Sequence, residues 1–299
     1  MKIIDAHIHY AKNEYFDQIA IDAGHTNSPE GVEKMYRDNR VVYAVVMSSG
    51  NADDQEYFAM TPDLAGKLTT KEHKLLSGPY PFPDYVGYCV GIQSRYLTDQ
   101  KPEVIWDTLK QHMENPHCLG FKMYPGYNPF YLDDPIHDPI YELAKAYHVP
   151  VDIHTGDTAS STALVEYAHP LTVDRVAVRY PEVKFVMCHY GNPWIVDASE
   201  VLMKNPNVYA DVSGLLEGNF DPDEFCNRCH GYLEQFRTWM NYIECYDKIL
   251  FGTDWPLPNI SSYIKLIQAM IPEKYHEQVF FENALKVYDR IRPEWFLDS

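Results

Sequence analysis

The sequence of 299 residues predicts an α/β protein, a single (β/α)8 TIM barrel with loop insertions after strands 2 and 7. Two patterns lead to this fold. Short apolar, β-branched runs recur eight times, and several of the stretches between them carry apolar residues at helical spacing. The length and the hydrophobic share of 45% also suffice for one large core. We therefore expect residues 1–299 to form a single domain.

The order of strands and helices is that of consecutive parallel βαβ units, which take ~30 or more residues each. Pro139 and Pro193 suit the first turns of helices, where the missing N–H of proline has no intrahelical partner to lose. The helix candidates are Val104–Glu114, Pro139–Tyr147, Thr162–Arg179 and Ile195–Lys204. The strand candidates are Lys2–His9, Val41–Ser48, Tyr85–Ile92, Leu119–Tyr124, Val149–His154, Lys184–His189, Val208–Val212 and Lys248–Thr253.

Two connections exceed this rhythm and are interpreted as insertions. Asn51–Asp84 contains a helix candidate near Tyr57 and a segment with alternating prolines, Gly78–Pro83, which cannot be regular structure. Gly214–Tyr246 is long, aromatic and cysteine-bearing. Loops that follow the strands of a parallel barrel lie on its catalytic face, so both insertions are expected to cover or wall the site.

The composition restricts the partners of the protein. Its 25 basic and 43 acidic residues give a formal net charge of −18, which opposes binding to nucleic acid or to an anionic membrane. The N-terminal segment has no signal-peptide pattern, and no apolar run approaches the ~18 residues of a membrane span. A cytoplasmic enzyme acting on a small-molecule substrate is therefore expected. The 24 tyrosines suit amphipathic packing and the interface of a homodimer.

The cysteines indicate reduced thiols rather than a disulfide framework, because six of them are scattered along a long chain. Cys226 and Cys229, followed by His230, form the one local pattern that resembles a metal motif. A structural zinc site needs about four ligands, and no second Cys/His pair stands nearby. We therefore do not expect a structural zinc site there.

Ligand-capable side chains stand where several apolar runs end. His7 and His9 close the first strand candidate and point to the same face, because strand side chains alternate. His154, His189 and Asp254 end or directly follow the fifth, sixth and eighth strand candidates. Since the ends of parallel strands open onto one end of a barrel, these five residues predict a shared metal site.

The motifs that carry these residues resemble the amidohydrolase superfamily, and more narrowly its branch containing aminocarboxymuconate semialdehyde decarboxylase and many predicted metal-dependent hydrolases. The C-terminal segment 281–288 is also similar to that branch, so the likeness spans essentially the whole chain. The matching segments are Ile4-Asp-Ala-His-Ile-His9, Phe121-Lys-Met-Tyr-Pro125, Ile153-His-Thr-Gly156, Cys188-His-Tyr-Gly191 and Phe251-Gly-Thr-Asp-Trp-Pro256.

The resemblance implies that His7, His9 and His154 are metal ligands, and that Asp254 is a ligand that also takes a proton from metal-bound water. Neutral imidazole and carboxylate oxygen suit a divalent cation, with Zn²⁺ preferred and Mn²⁺ the alternative. His189 is then either a further ligand or the group that polarises the substrate and shuttles protons.

Lys122 decides the number of metal ions. In binuclear members of the family a lysine at the end of the fourth strand is carboxylated and bridges two metals, whereas in decarboxylase-like members one metal is usual and a lysine here would meet a substrate anion. We favour one metal.

Four residues are expected to contact substrate, namely Lys122, Tyr124, Asn192 and Trp255. Asp157 and Asp211 are candidates for carboxylates that orient the ligand histidines. Arg175 and Arg179 are expected in surface ion pairs.

Three functions follow, in order of preference. The first is a hydrolase that acts on a small-molecule amide, ester or lactone through a metal-activated water. The second is a metal-dependent, non-oxidative decarboxylase of a small unsaturated or aromatic carboxylate, which would use the same ligands. The third is a ligand-binding barrel without catalysis, which is disfavoured because every ligand type is present.

Overall fold

A computed structural model describes residues 1–9, 14–48, 83–98 and 101–298. Its centre is an eight-stranded parallel sheet in which the strands are adjacent in sequence order. The strands are β1 (Ile3–Ile8), β2 (Val41–Met47), β3 (Val86–Ile92), β4 (Cys118–Met123), β5 (Val151–Ile153), β6 (Phe185–Met187), β7 (Val208–Asp211) and β8 (Ile249–Leu250). The chain is thus a TIM barrel, and all eight predicted strands are confirmed within a few residues.

Hydrogen bonds between β1 and the segment after β8 close the barrel. The Ala6 N–H donates to Phe251 O at 3.0 Å, and the Asp254 N–H donates to His7 O at 2.8 Å. An isolated parallel bridge between Ile8 and Trp255 continues this seam. The first and last strands therefore meet at the end of the barrel where the ligand candidates lie.

The strands are buried on both sides, as parallel strands covered by helices are. Every residue of β1 and β2 is buried, and one hydrophobic core extends from Ile3 to Leu297. The helices are α1 (Glu14–Asp22), α2 (Pro29–Asn39), α3 (Ser94–Leu97), α4 (Pro102–Met113), α5 (Asp138–Tyr147), α6 (Leu171–Arg179), α7 (Ile195–Lys204), α8 (Pro222–Arg228), α9 (His230–Ile243), α10 (Ile260–Met270) and α11 (Asn283–Val287). None of the helices in the described ranges is long and apolar enough to cross a membrane.

The predicted helices at α4, α5 and α7 are confirmed, and Pro139 lies in the first turn of α5. The prediction of one helix over Thr162–Arg179 is wrong, because α6 begins only at Leu171. Pro170 explains the break, since proline disfavours the helical region for the residue before it, and His169 is extended. Pro193 precedes α7 rather than opening it, because the helix begins at Ile195.

The two predicted insertions have different outcomes. The segment after β2 lies outside the described residues, including the helix expected near Tyr57. The segment after β7 forms α8 and α9, which pack against α7 and α10. None of its residues is among the described residues on the wall of the cavity beside the ligand candidates, so the prediction that this insertion walls the site is wrong.

Candidate metal centre

Five ligand candidates converge at the carboxyl end of the barrel. Oδ1 of Asp254 lies 3.4 Å from His7 Nε2 and 3.2 Å from His9 Nε2. The other carboxylate oxygen, Oδ2, lies 4.0 Å from His189 Nδ1. His154 joins the cluster through His189, with 3.2 Å between its Nδ1 and His189 Nε2. The structure thus brings together the five residues that the motifs predicted.

Glycines make room for this cluster. A Cβ on Gly214 would lie 2.7 Å from His189 Nδ1 and 2.8 Å from Asp254 Oδ2, and one on Gly252 would lie 2.9 Å from His7 Cβ. Both distances at Gly214 are shorter than real Cβ contacts, so any larger residue would push a ligand candidate out of place. Gly214 also has a φ of +63°, a conformation that favours glycine.

His189 and Asp254 themselves adopt left-handed backbone conformations, with φ values of 60° and 63°. For residues with a Cβ this conformation costs roughly 1–2 kcal/mol each. Such strain is commonly found at functional sites, where the surrounding structure holds it in place. Here His189 lies two residues beyond β6 and Asp254 four residues beyond β8, and both side chains join the cluster at the mouth of the barrel.

Burial controls the ionisation of the cluster. Desolvation lowers the pKa of His7 to about 3 and the pKa of His154 well below its ordinary value. Both imidazoles are therefore neutral at physiological pH, which is the form that binds metal. Desolvation raises the pKa of Asp254, but the facing His7 and His9 imidazoles outweigh it and hold the pKa below its usual range. The result is neutral nitrogen donors around one carboxylate.

The donor set fits a divalent cation. Three buried atoms at the cluster have no hydrogen-bond partner, namely His7 Nε2, His154 Nε2 and Asp254 Oδ1. A buried polar atom without a partner is costly, and a bound cation would satisfy all three. Donor atoms of His7, His189 and Asp254 also lie within 4.8 Å of one another. His7, His9, His154 and Asp254 are the residues that could hold the cation, with His189 as a further candidate.

A second group of potential ligands, His7, Cys188 and Asp211, lies deeper in the barrel. Its atoms already have partners, because His7 Nδ1 lies 2.9 Å from Asp211 Oδ2 and Lys122 Nζ donates to Cys188 Sγ at 2.7 Å. The first group, His7, His189 and Asp254, is therefore the better candidate for a metal centre. Cys226 and Cys229 belong to neither of these groups, the two that the described residues form.

Asp211 occupies the position of a carboxylate that orients a ligand. It is 1% exposed and accepts from His7 Nδ1, from the backbone N–H of His189 at 2.9 Å and from that of Ser213 at 3.0 Å. The expectation for Asp157 is wrong. Its side chain is exposed and accepts from the Thr158 N–H, because the turn at Gly156 carries the chain away from the histidines.

A cavity of about 400 Å³ opens beside the cluster. Lys122 and Tyr124, two of the expected substrate contacts, lie on its wall together with His9, His154, His189 and Asp254. Further wall residues are Phe16, Gln93, Arg95, Tyr127, Asn128 and Leu257. The wall is therefore mixed aromatic and polar, with two cationic side chains, Lys122 and Arg95.

The other two expected substrate contacts, Asn192 and Trp255, are not among the described residues on this wall. Trp255 is 1% exposed, and its ring packs against His25 with 5.3 Å between centroids. Asn192 accepts the Asp157 N–H through its backbone oxygen and packs against Gly156. Both residues shape the loops that follow the strands.

Lys122 points toward Cys188 rather than toward the unpartnered donor atoms. It is fully buried, its Nζ contacts Cys188 Sγ, and the Tyr124 ring centroid lies 5.3 Å away. Burial disfavours the ammonium form, but the Cys188 sulfur and the Asp211 carboxylate hold the pKa of Lys122 above its ordinary value.

Several residues of the site were missed from the sequence, among them Arg95, Tyr127 and Ser213. Arg95 and Tyr127 follow β3 and β4 closely, so the rule used for the ligands, to inspect the residues after each strand, could have found them. Ser213 is buried beside His7 and His189. No pattern in the sequence marked it. The expectation for Arg175 and Arg179 is confirmed, since they pair with Asp133 and Asp138 at the surface.

Comparison with known proteins gives a family and a set of structural neighbours. The family model described as amidohydrolase matches residues 87–290, which is most of the chain. No curated protein matches the sequence at a significant level.

Three solved structures illustrate the neighbours. An amidohydrolase from Burkholderia multivorans with bound zinc has 12% identity and a TM-score of 0.64, covering 97% of this chain and 99% of that one. A dihydroxybenzoic acid decarboxylase from Polaromonas with bound manganese and 2-nitroresorcinol has 14% identity and a TM-score of 0.63, covering 98% of each chain. A probable 2-pyrone-4,6-dicarboxylic acid hydrolase from Acinetobacter baumannii has 12% identity and a TM-score of 0.60, covering 97% and 100%. At these identities the likeness concerns the fold.

Proposed function

Because the chain belongs to the amidohydrolase family, we propose that it is a metal-dependent hydrolase of a small-molecule amide, ester or lactone. One observation carries the proposal. Three buried donor atoms on His7, His154 and Asp254 lack partners, and the cavity of about 400 Å³ opens beside them. Atoms that can bind a metal and have no hydrogen-bond partner, next to a cavity, fit a cation and a substrate that bind side by side.

In this proposal His7, His9, His154 and Asp254 hold one divalent cation, with Zn²⁺ preferred over Mn²⁺. Three nitrogen donors and one carboxylate match the ligand chemistry of catalytic zinc. Structural neighbours of the chain contain zinc in one case and manganese in another. When bound, such a cation lowers the pKa of water toward ~7 and polarises the scissile carbonyl.

Asp254 takes the proton that an attacking water loses. Its carboxylate is ionised, because the neighbouring histidines keep its pKa below the usual range, and it lies on the cavity wall. His189 lies on the same wall and is neutral at physiological pH, since burial lowers its pKa. To hydrogen-bond the substrate carbonyl or pass a proton to the leaving group, it must exchange one of its present partners, Ser213 or His154, for the substrate.

The position of Lys122 supports a single metal ion per chain. A bridging carbamate needs the lysine nitrogen beside the metal donors, whereas Lys122 Nζ contacts Cys188 Sγ. Its place on the cavity wall instead suits contact with an anionic group of the substrate.

Decarboxylation of a small aromatic or unsaturated carboxylate is the second candidate. The observation that favours it is the cavity wall, on which Lys122 and Arg95 supply positive charge and Tyr124 and Tyr127 supply aromatic surface. This combination suits a planar carboxylate. One structural neighbour is a decarboxylase of dihydroxybenzoic acid. The same four ligands and His189 would serve this reaction.

The experiment that separates these functions follows the product. Protein freed of metal with a chelator and reloaded with Zn²⁺ or Mn²⁺ is incubated with small amides, esters, lactones and aromatic carboxylates. Hydrolysis releases an acid without carbon dioxide, whereas decarboxylation releases carbon dioxide. We expect metal-dependent acid release.

A matched pair of variants tests the site itself. His154→Gln should lose both metal and turnover. His25→Gln, which changes a histidine that packs on Trp255 away from the cavity, should keep both. Reloaded wild-type protein that binds no metal would overturn the proposal.

A further inference from the structure

The buried hydroxyl of Ser213 links two histidines to one carboxylate. Ser213 follows β7 and is fully buried. Its Oγ lies 2.5 Å from Asp211 Oδ1, 2.9 Å from His189 Nδ1 and 3.1 Å from His7 Nδ1. A serine hydroxyl has one proton to donate, so these contacts cannot all be donations from Ser213.

Counting protons assigns the direction of each bond. An ionised carboxylate only accepts, so Ser213 donates to Asp211, its shortest contact. The Ser213 oxygen is then free to accept, and His189 donates its Nδ1–H to it. His7 donates its own Nδ1–H to the other oxygen of Asp211, at 2.9 Å.

The same count continues to the next histidine. Because His189 carries its proton on Nδ1, its Nε2 has a lone pair. That atom lies 3.2 Å from His154 Nδ1, so His154 donates a Nδ1–H to it. The two remaining ring atoms, Nε2 of His7 and of His154, then have free lone pairs. These are the two histidine nitrogens of this cluster that lack a partner among the described residues.

We propose that Ser213 is a positioning residue: with Asp211 it forms a relay of hydrogen bonds through His189 to His154 that fixes all three histidines as Nδ1–H tautomers. The relay presents the Nε2 lone pairs of His7 and His154 to the cation and occupies both nitrogens of His189, which is therefore not a ligand. This inference rests on the proposed metal site. It deepens that proposal by naming the residues that orient the ligands.

The relay makes an asymmetric prediction for Ser213→Ala. His7 keeps its direct bond to Asp211, so its tautomer should not change. His189 loses the nearer of its two acceptors and keeps only the Ser213 backbone oxygen, 3.2 Å from its Nδ1. Because His154 is bonded to His189, both rings should redistribute part of their protons. General loosening of the core would affect all three rings alike.

Nitrogen-15 NMR of histidine-labelled protein reads these tautomers directly, and protein without metal suffices. In the wild type we expect the Nδ1–H form for His7, His154 and His189. In Ser213→Ala we expect it to persist undiminished for His7 alone, and to be mixed with the Nε2–H form for His154 and His189. The control is Ser199→Ala, which removes another fully buried serine hydroxyl. It is bonded to Ile195 O in α7 and to the Tyr190 hydroxyl, but to none of the three histidine rings, so all three should stay unchanged.

Zinc affinity provides an independent readout. Loss of a group that orients a metal ligand typically weakens binding by ~10–100-fold. We expect about tenfold weaker binding in Ser213→Ala, since one of the two oriented histidines is affected, and unchanged binding in Ser199→Ala.

The proposal fails if His189 in the wild type carries its proton on Nε2, a result that needs no variant to fold. It also fails if Ser213→Ala leaves both the tautomers and the zinc affinity unchanged. Wild-type protein with the expected tautomers but no turnover on any substrate would instead count against the proposed reaction, and would leave the relay standing.

Discussion

An aspartate followed two residues later by a histidine occurs at two strands of the barrel. In each pair the aspartate has hydrogen-bond partners for its oxygens, whereas the histidine keeps one nitrogen without a partner. β1 carries Asp5 two residues before His7, and β5 carries Asp152 two residues before His154. Side chains two apart on a strand share a face, so in each case a carboxyl group lies below a histidine inside the barrel. All four residues are buried, at 6% exposure or less.

The lower members have partners for their oxygens. Asp5 accepts from the Thr253 N–H at 2.9 Å and from its hydroxyl at 2.7 Å. Asp152 accepts from Tyr288 and Cys89. Burial raises the pKa of both carboxyl groups to about 7. The upper members, His7 and His154, each keep an unpartnered Nε2.

The difference separates a lower layer of side chains, which holds the fold, from an upper layer, which offers free atoms to a ligand. A buried polar group with all its bonds made is stable in that position and holds the fold. A buried polar group with a free atom beside a cavity carries an energetic penalty that a ligand can remove. Variants in the two layers should therefore fail in different ways.

The largest effect is expected in the upper layer, from Asp254→Asn. Asparagine keeps the shape and one coordinating oxygen but cannot accept a proton. General acid–base catalysis contributes ~10²–10⁴-fold, so turnover should fall by about that factor while metal content and the unfolding midpoint change little. The control is Asp157→Asn, which alters an exposed carboxylate that does not line the cavity. A variant that kept its metal and more than about a third of the turnover, with chemistry rate-limiting, would make Asp254 structural.

Thr253→Val should affect the lower layer and act on stability. Valine has the shape of threonine but leaves Asp5 Oδ2 and the Trp255 N–H without the Thr253 hydroxyl. Leaving a buried polar group unsatisfied costs ~1–3 kcal/mol, so we expect the free energy of unfolding in urea to fall by about 2 kcal/mol. Thr172→Val, which removes a hydroxyl that bonds only to the uncharged backbone oxygens of His169 and Tyr167, should cost less. Equal losses in the two variants would contradict the distinction between the layers.

Lys122→Met tests whether Lys122 attracts an anionic substrate or bridges two metal ions. We expect one metal per chain before and after the change, because Lys122 Nζ contacts Cys188 and not the donor atoms. The KM for an anionic substrate should rise ~10-fold, equivalent to about 1.4 kcal/mol of lost attraction. Elemental analysis and steady-state kinetics measure the two quantities. A fall from two metals to one would instead identify Lys122 as a bridging carbamate.

Asp152→Asn should act on the pH dependence of stability. The folded pKa of Asp152, about 7, exceeds the unfolded value of ~3.9, so between these values the folded state holds a proton that the unfolded chain has lost. Stability therefore falls as pH rises through this window and is constant above it. Asparagine does not titrate, so the loss between pH 5 and pH 8 should be smaller.

Urea unfolding at the two pH values measures this loss. The control Asp174→Asn changes a carboxyl whose folded pKa lies below its ordinary value, because Lys204 and Asn205 bond to it and outweigh its desolvation. That group is ionised at both pH values in both states, so its slope should match the wild type. A steeper slope for Asp152→Asn would contradict the assignment.

The sequence predicted those parts of the site that are local. His7 and His9 alternate on one strand, and His154, His189 and Asp254 end or directly follow strands, so the parallel topology alone brings them together. Ser213 was not predictable in this way, because its role depends on contacts with His7, 206 positions away in the chain, and with the side chain of His189. Asn192 and Trp255 also follow strands, but turns at the mouth of the barrel aim them away from the cavity.

The closure of the barrel between β1 and the segment after β8 also determines when the candidate metal centre can form during folding. The His7 and His9 side chains are synthesised well before Asp254, whose N–H bonds to His7 O. Until the segment after β8 docks against β1, the histidines of the cluster lack the Asp254 carboxylate between them. In the proposed function, the complete ligand set for the cation therefore exists only once the barrel has closed.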